Sequence, residues 1–270
     1  MPAIERFGYN APAGKSLEDA TRWAAEARLY WIDFNADRAP NGLSDWDDAR
    51  IRAVRDLSER HGIKYGIHTL SATNNAEIGP FVSEAVDEYL RANVDLAAQM
   101  GCEWVIVHGG YHFGDVERRR DAAVARLQRL VEYAAQKQMP LWLENHNWEP
   151  DEAEIHYIPD NVEELRWFLD APGLKDSPWL KWTFNAGHAE LVSDKVGGFL
   201  NAFGVDRIAQ VRLMDNPGTY EKHLLPGEGV LDFPNIFRQI ESAGYTGPYC
   251  LDFPGTDADR IRIRDEWVKL

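Results

Sequence analysis

The sequence predicts an α/β protein of the (β/α)8 TIM-barrel class. Three observations carry that expectation. Eight short apolar segments alternate with seven or eight helix-like ones from end to end, the pattern of parallel β/α units. The length, 270 residues, is close to the roughly 250 typical of such barrels. No G-x-G-x-x-G follows the first strand, as an open doubly wound sheet binding a dinucleotide would need. No linker or low-complexity run interrupts the alternation, so residues 1–270 read as one domain.

The first strand is RFGYN (6–10). The helix that follows, SLEDATRWAAEAR (16–28), opens on Ser16 and Asp19, a capping-box start with Asp as the weaker partner. LYWIDFN (29–35) is the second strand, and SDWDDARIRAVRDLSERHG (44–62) the second helix, stopped by its Gly. KYGIHT (64–69) leads to a helix over 83–101, and WVIVHGG (104–110) to one over 116–138. PLWLENH (140–146) precedes a long connection, then a helix over 161–170. LKWTFN (180–185), IAQVRLMD (208–215) and PYCLDF (248–253) complete the strands, with helices over 197–204 and 235–244.

Side chains alternate between the faces of a strand, and in a barrel one face meets the helices while the other meets the axis. On 64–68, Tyr65 and Ile67 are apolar and face out, leaving His68 inward. The same parity turns Trp104, Ile106 and His108 inward, then Trp142 and Glu144, Thr183 and Asn185, and Cys250 and Asp252. On 208–214 it puts Ala209, Val211 and Leu213 against helices and Ile208, Gln210 and Arg212 inside. Asp33 shares the inward parity. Strand C-terminal ends are where such barrels carry their chemistry. A single inward His reads most simply as a satisfied core residue. A whole rim of polar groups reads as a functional pocket, because each one buried unpaired costs about 1–3 kcal/mol.

Composition narrows the function. The chain is 44% hydrophobic and 27% charged, with formal net charge −15. Nucleic-acid affinity rests on Lys/Arg neutralising phosphates, so no nucleic-acid partner is expected. No apolar run is long enough to span a membrane, so no membrane partner is expected either. Two cysteines form no framework and the N-terminus shows no secretory h-region; both suit a cytoplasmic location. A homo-oligomer is left open.

The strand ends resemble the xylose-isomerase-like barrel superfamily of sugar isomerases and epimerases, which includes ketose 3-epimerases and endonuclease IV. The resemblance covers nearly the whole chain. It rests on LENH (143–146), NAGHA (185–189), VRLMDN (211–216), HLLPGEGVLDFPNIF (223–237), His68 and HGG (108–110). It implies a divalent metal held by Glu, Asp, His and Glu on strands five to eight. Here those positions carry Glu144, Asn185, Arg212 and Asp252. A guanidinium about 4 Å from a dication is repelled by about 8 kcal/mol at an effective dielectric near 20, and Arg cannot shed its proton. Two arrangements stay open: a metal (Mn, Mg or Zn) relocated to His68, His108 and Glu144, or metal-free chemistry with Arg212 as electrophile.

The resemblance implies a sugar or polyol isomerase/epimerase that abstracts a proton beside a carbonyl to give an enediolate. A small neutral carbohydrate is the expected partner. A lyase or dehydratase on a keto-sugar, and a non-catalytic sugar-binding subunit, are the alternatives. Glu144 is expected as base or ligand, His188 as the substrate-binding or proton-transferring group, and Arg212 as oxyanion stabiliser. His68, His108, Asn185 and Asp252 surround the substrate, with His146, His223, Trp148, Tyr9 and Glu228 as pocket walls. Glu228 is equally expected to do no more than fix its Gly-rich turn. Residues 147–159 are long for a β/α connection and read as a lid, with Glu149 the candidate for a further sugar-binding carboxylate.

Overall fold

In the computed structural model, which describes residues 2–270, eight parallel strands close into a barrel in chain order. They are β1 (Phe7–Asn10), β2 (Trp31–Phe34), β3 (Lys64–His68), β4 (Trp104–Val107), β5 (Leu141–Glu144), β6 (Leu180–Asn185), β7 (Ile208–Leu213) and β8 (Tyr249–Leu251). A helix follows each: α1 (Leu17–Ala27), α2 (Asp48–His61), α3 (Pro80–Met100), α4 (Val116–Gln136), α5 (Val162–Leu169), α6 (Lys195–Phe203), α7 (Phe233–Ser242) and α8 (Asp257–Trp267). The expected starts and stops act as anticipated. Ser16 accepts from the Asp19 amide at the head of α1, and Gly62 ends α2 at φ 64°. No helix is expected after the last strand from the sequence alone. α8 is there, opened by a reciprocal capping box between Thr256 and Asp259.

Two extra strands lie outside the barrel. Gly110–His112 and His156–Ile158 pair antiparallel as a ribbon, with Tyr111 opposite Tyr157 and His112 opposite His156. The expected lid segment is therefore partly ordered as a strand. No helix among the described residues is long and apolar enough to cross a membrane.

The core has two parts. Outward strand residues such as Phe7, Ile32, Tyr65, Val105, Leu143 and Val211 pack against the helices. Inside the barrel, Trp104, Ile106, Trp142 and Ala209 form a separate cluster with Trp31 against it. Trp104 and Trp142 stack 4.5 Å apart with planes 2° off parallel. This indole floor needs glycine opposite it: a Cβ on Gly66 would lie 1.8 Å from Trp104 Nε1. From the floor, Trp104 Nε1 donates to Asp33 Oδ1 at 2.8 Å, which ties the floor to the polar layer above.

One parity expectation is overturned. Trp182 pairs with Ile208, but Thr183 pairs with Gln210, so β7 carries an extra residue. Such a bulge reverses alternation on one side of it. Ile208 consequently packs outward in the helix-facing core and Ala209 points inside. Past the bulge Gln210 and Arg212 keep their inward places.

Candidate active site

The C-terminal ends of the strands open into a cavity of about 760 Å³. Just beneath it lies Arg212, with no exposed surface. Its Nη1 lies 2.5 Å from Asp33 Oδ2, its Nη2 3.0 Å from Asp252 Oδ2, and its Nε 3.5 Å from Glu144 Oε1. The guanidinium thus stands inside the barrel, as the parity reading requires. It is not among the side chains that line the cavity. It is ion-paired with all three surrounding carboxylates. One positive charge faces Asp33, Asp252 and Glu144, and leaves that layer negative.

Glu144 is almost fully buried. Burial works against its charge, but Arg212 and then His68 outweigh that, and its pKa lies well below the ordinary carboxylate range. Oε1 accepts from Asn185 Nδ2 at 2.9 Å. Asn185 also caps the one-turn helix Ala186–Ala189 by accepting from the His188 amide at 3.1 Å. An Asp at 185 would place a second carboxylate against Glu144 with no cation between them. The amide is what this charge balance requires.

The other oxygen, Oε2, lies 3.2 Å from His68 Nε2 and 3.8 Å from His108 Nε2, yet no aligned donor reaches it. The two Nε2 atoms are 3.1 Å apart. One partnerless carboxylate oxygen and two Nε2 atoms that share a single hydrogen bond lie at separations that fit around one ion at about 2.0–2.2 Å from each. The negative layer below favours a cation there. Asn185, Arg212 and Asp252, at the other three implied positions, do not fit: a guanidinium already joins the carboxylates. On the strand ends, the residues that fit a divalent metal are His68, His108 and Glu144. Burial keeps His108 neutral, with His146 and His68 adding to the effect, the form in which imidazole binds metal.

Across the mouth stands His188. Its Nδ1 is 2.7 Å from the Asn145 carbonyl, so that nitrogen carries a proton, and Nε2 is 3.2 Å from Glu221 Oε1. Burial lowers the pKa of His188, but Glu221 more than compensates and raises it. Glu221 also lies 3.1 Å from His223 Nε2. Burial disfavours charge on His223 too, yet Asp252 and Glu221 lift it to about 9. His188, Glu221 and His223 form a second group with donor atoms close enough to share an ion.

His68, His108, Glu144, His146, Asn185, His188, His223 and Asp252 all line the cavity, as expected. Three expected wall residues do not. Tyr9 faces the helices, where its hydroxyl donates to the Ala20 carbonyl and its ring packs on Trp23. Its neighbour Asn10 takes the inward place and donates to Asp252 Oδ1 at 3.1 Å. Trp148 faces a separate cavity beside the mouth. Glu228 is exposed; Asp215 holds the Gly-rich turn by accepting from the Gly227, Gly229 and Leu231 amides. Glu149 also borders the outer cavity, and Asn147 donates to it at 2.7 Å. Sequence reasoning missed Glu221, which sits on a loop with no periodicity to orient it, and Asn10, which the parity of Phe7 and Tyr9 does signal.

A family model described as "Xylose isomerase-like TIM barrel" matches residues 21–269. An L-ribulose-5-phosphate 3-epimerase of Shigella boydii is 24% identical over 273 residues, covering 96% of this chain and 90% of its own. The crystal structure of a D-tagatose 3-epimerase-like protein superposes with TM-score 0.81 at 23% identity, covering 98% of this chain and 97% of its own. Endonuclease IV of Thermus thermophilus superposes with TM-score 0.75 at 23% identity, covering 98% and 99%.

Proposed function

The chain belongs to the xylose isomerase-like TIM-barrel family, and from that premise we propose that it is a sugar isomerase or epimerase working through an enediolate. The observation that carries the reading is Glu144: a buried, ionised carboxylate with one oxygen unsaturated toward the cavity and the other fixed by Asn185 and Arg212. In the metal-free arrangement that oxygen is the base that lifts a proton from carbon beside a carbonyl; in the other arrangement it is a metal ligand instead. A divalent ion held by His68, His108 and Glu144 would supply Lewis-acid polarisation of that carbonyl. His188 is placed to donate from Nε2 to a sugar oxygen, because Glu221 favours its protonated form. Arg212 acts as a positioning residue that keeps Glu144 ionised without touching substrate.

The proposed substrate is an unphosphorylated sugar. Asp37, Glu221 and Asp252 line the mouth, and Arg260, the most buried cation in the wall, is occupied by the Gly255 and Phe253 carbonyls. The other arginine on the rim, Arg38, is exposed, so a phosphate would meet one surface guanidinium next to Asp37 rather than a built cradle. The test is solvent deuterium incorporation into a panel of ketoses, with mass and stereochemistry of products recorded. Wild type should exchange one carbon-bound hydrogen, and Glu144→Gln should lower the rate by about 10²–10⁴. Exchange that survives Glu144→Gln undiminished would refute the assignment. Loss of a hydroxyl in the product would move the chemistry to a dehydratase.

A further inference from the structure

The outer cavity beside the mouth is used by nothing above. It measures about 1140 Å³ and lies on the same C-terminal face, between the ribbon, the 148–157 segment, the start of α5 and the loop at 191–194. Tyr157 borders both this cavity and the mouth. On the mouth side its ring stacks on His146, centroids 4.8 Å apart and planes 20° off parallel. A second link crosses the same divide: Asn147 lines the mouth, and Glu149, to which it donates, lines the outer cavity.

The lining has a defined chemistry. Trp148 and Tyr157 offer aromatic surface, and His112 and His156 stack at 5.4 Å as a further flat element. Around them stand six carboxylates, at Glu149, Asp151, Asp160, Glu163, Glu164 and Asp194, against one cation, Arg166. Aromatic faces bind the apolar side of a pyranose, and carboxylates accept from its hydroxyls. A surplus of negative charge disfavours a phosphorylated or acidic ligand. Burial raises Asp160 to about 6, and burial together with the Asp160 charge raises Glu164 to about 8, so near neutral pH this pair offers a donor as well as acceptors.

We propose that this cavity is a second sugar subsite, and that the substrate is a neutral glycoside whose reacting keto-sugar sits in the mouth while its second ring rests across Tyr157. This rests on the sugar-isomerase reading of the mouth and extends it to a two-ring substrate class. The test compares fructose with two ketose disaccharides, lactulose and turanose, by titration calorimetry and by deuterium exchange, in wild type, Trp148→Ala and His156→Asn. Expected are at least tenfold tighter binding and at least tenfold higher kcat/KM for one disaccharide than for fructose. Trp148→Ala should erase that advantage through KM, leaving fructose unchanged, and His156→Asn should weaken it. Disaccharides bound no better than fructose, or both substrate classes falling equally in the two variants, overturns the subsite. Disaccharide preference in binding without exchange supports the subsite and removes only the catalytic reading. Exchange with fructose alone does the reverse.

Discussion

Replacing Arg212 by Met tests the electrostatic core directly. Met keeps much of the length and removes the charge. In the native protein the guanidinium lies 2.5, 3.0 and 3.5 Å from the carboxylates of Asp33, Asp252 and Glu144, and none of the four side chains is more than 6% exposed. Breaking one buried pair by removing a partner typically costs about 3–5 kcal/mol. Three acids are orphaned here, but each can escape by taking up a proton, at about 1.4 kcal/mol per pKa unit. A loss of about 4 kcal/mol at pH 7.5 is therefore expected. With an unfolding entropy of about 2.1 cal/mol/K per residue, that lowers Tm by roughly 7 °C. The pH dependence is the sharper signature. Burial opposes charge on Glu144 and Asp252, but Arg212, joined by His68 at Glu144 and by His223 at Asp252, outweighs it and holds both below their usual range. Their contribution is present above the unfolded carboxylate pKa and is lost as pH falls through the folded value. Without Arg212, burial, the largest cause at both sites, pushes these carboxyls upward, so the variant regains stability as pH falls and they take up protons, and the gap to wild type should narrow by more than about 1 kcal/mol between pH 7.5 and 5. Urea unfolding at both pH values reads it. A gap under about 1 kcal/mol at pH 7.5, or one that does not change with pH, refutes the reasoning.

Two further outcomes are expected. Glu164 is raised to about 8 by burial and by Asp160, so its stabilising contribution is full below the unfolded value near 4.5 and fades as pH rises through 8. Glu164→Gln should flatten that decline and gain about 1–3 kcal/mol at pH 8.5 in urea melts; an unchanged slope counts against the shared-proton pair. Elemental analysis after loading with Mn, Mg or Zn should find a divalent ion that His108→Ala loses, since the variant removes one of three converging donors. Undiminished loading in that variant would move the metal away from His68 and Glu144.

Much of this site was legible because strands impose a period of two. His68, His108, Glu144, Asn185 and Asp252 follow from apolar neighbours that must meet helices, and the backbone leaves them no other direction. That logic needs uninterrupted alternation. The bulge at Ala209 defeats it locally, since an unpaired residue leaves no mark in an apolar run. Tyr9 was misplaced by reading an aromatic as a wall against its own parity. Loops escaped for a different reason. Glu221 and Asp215 are positioned by hydrogen bonds to residues distant in sequence, and nothing local announces such bonds. The helix after β8 did announce itself, through Thr256 and Asp259, and could have been read.

The paired indoles of Trp104 and Trp142 have a practical consequence. Two chromophores held parallel at 4.5 Å couple their transitions, so near-ultraviolet circular dichroism should carry a signal specific to the closed ring of strands. Far-ultraviolet signals follow the outer helices instead. The molecule thus contains its own optical gauge for watching the sheet zip shut separately from the coat that surrounds it.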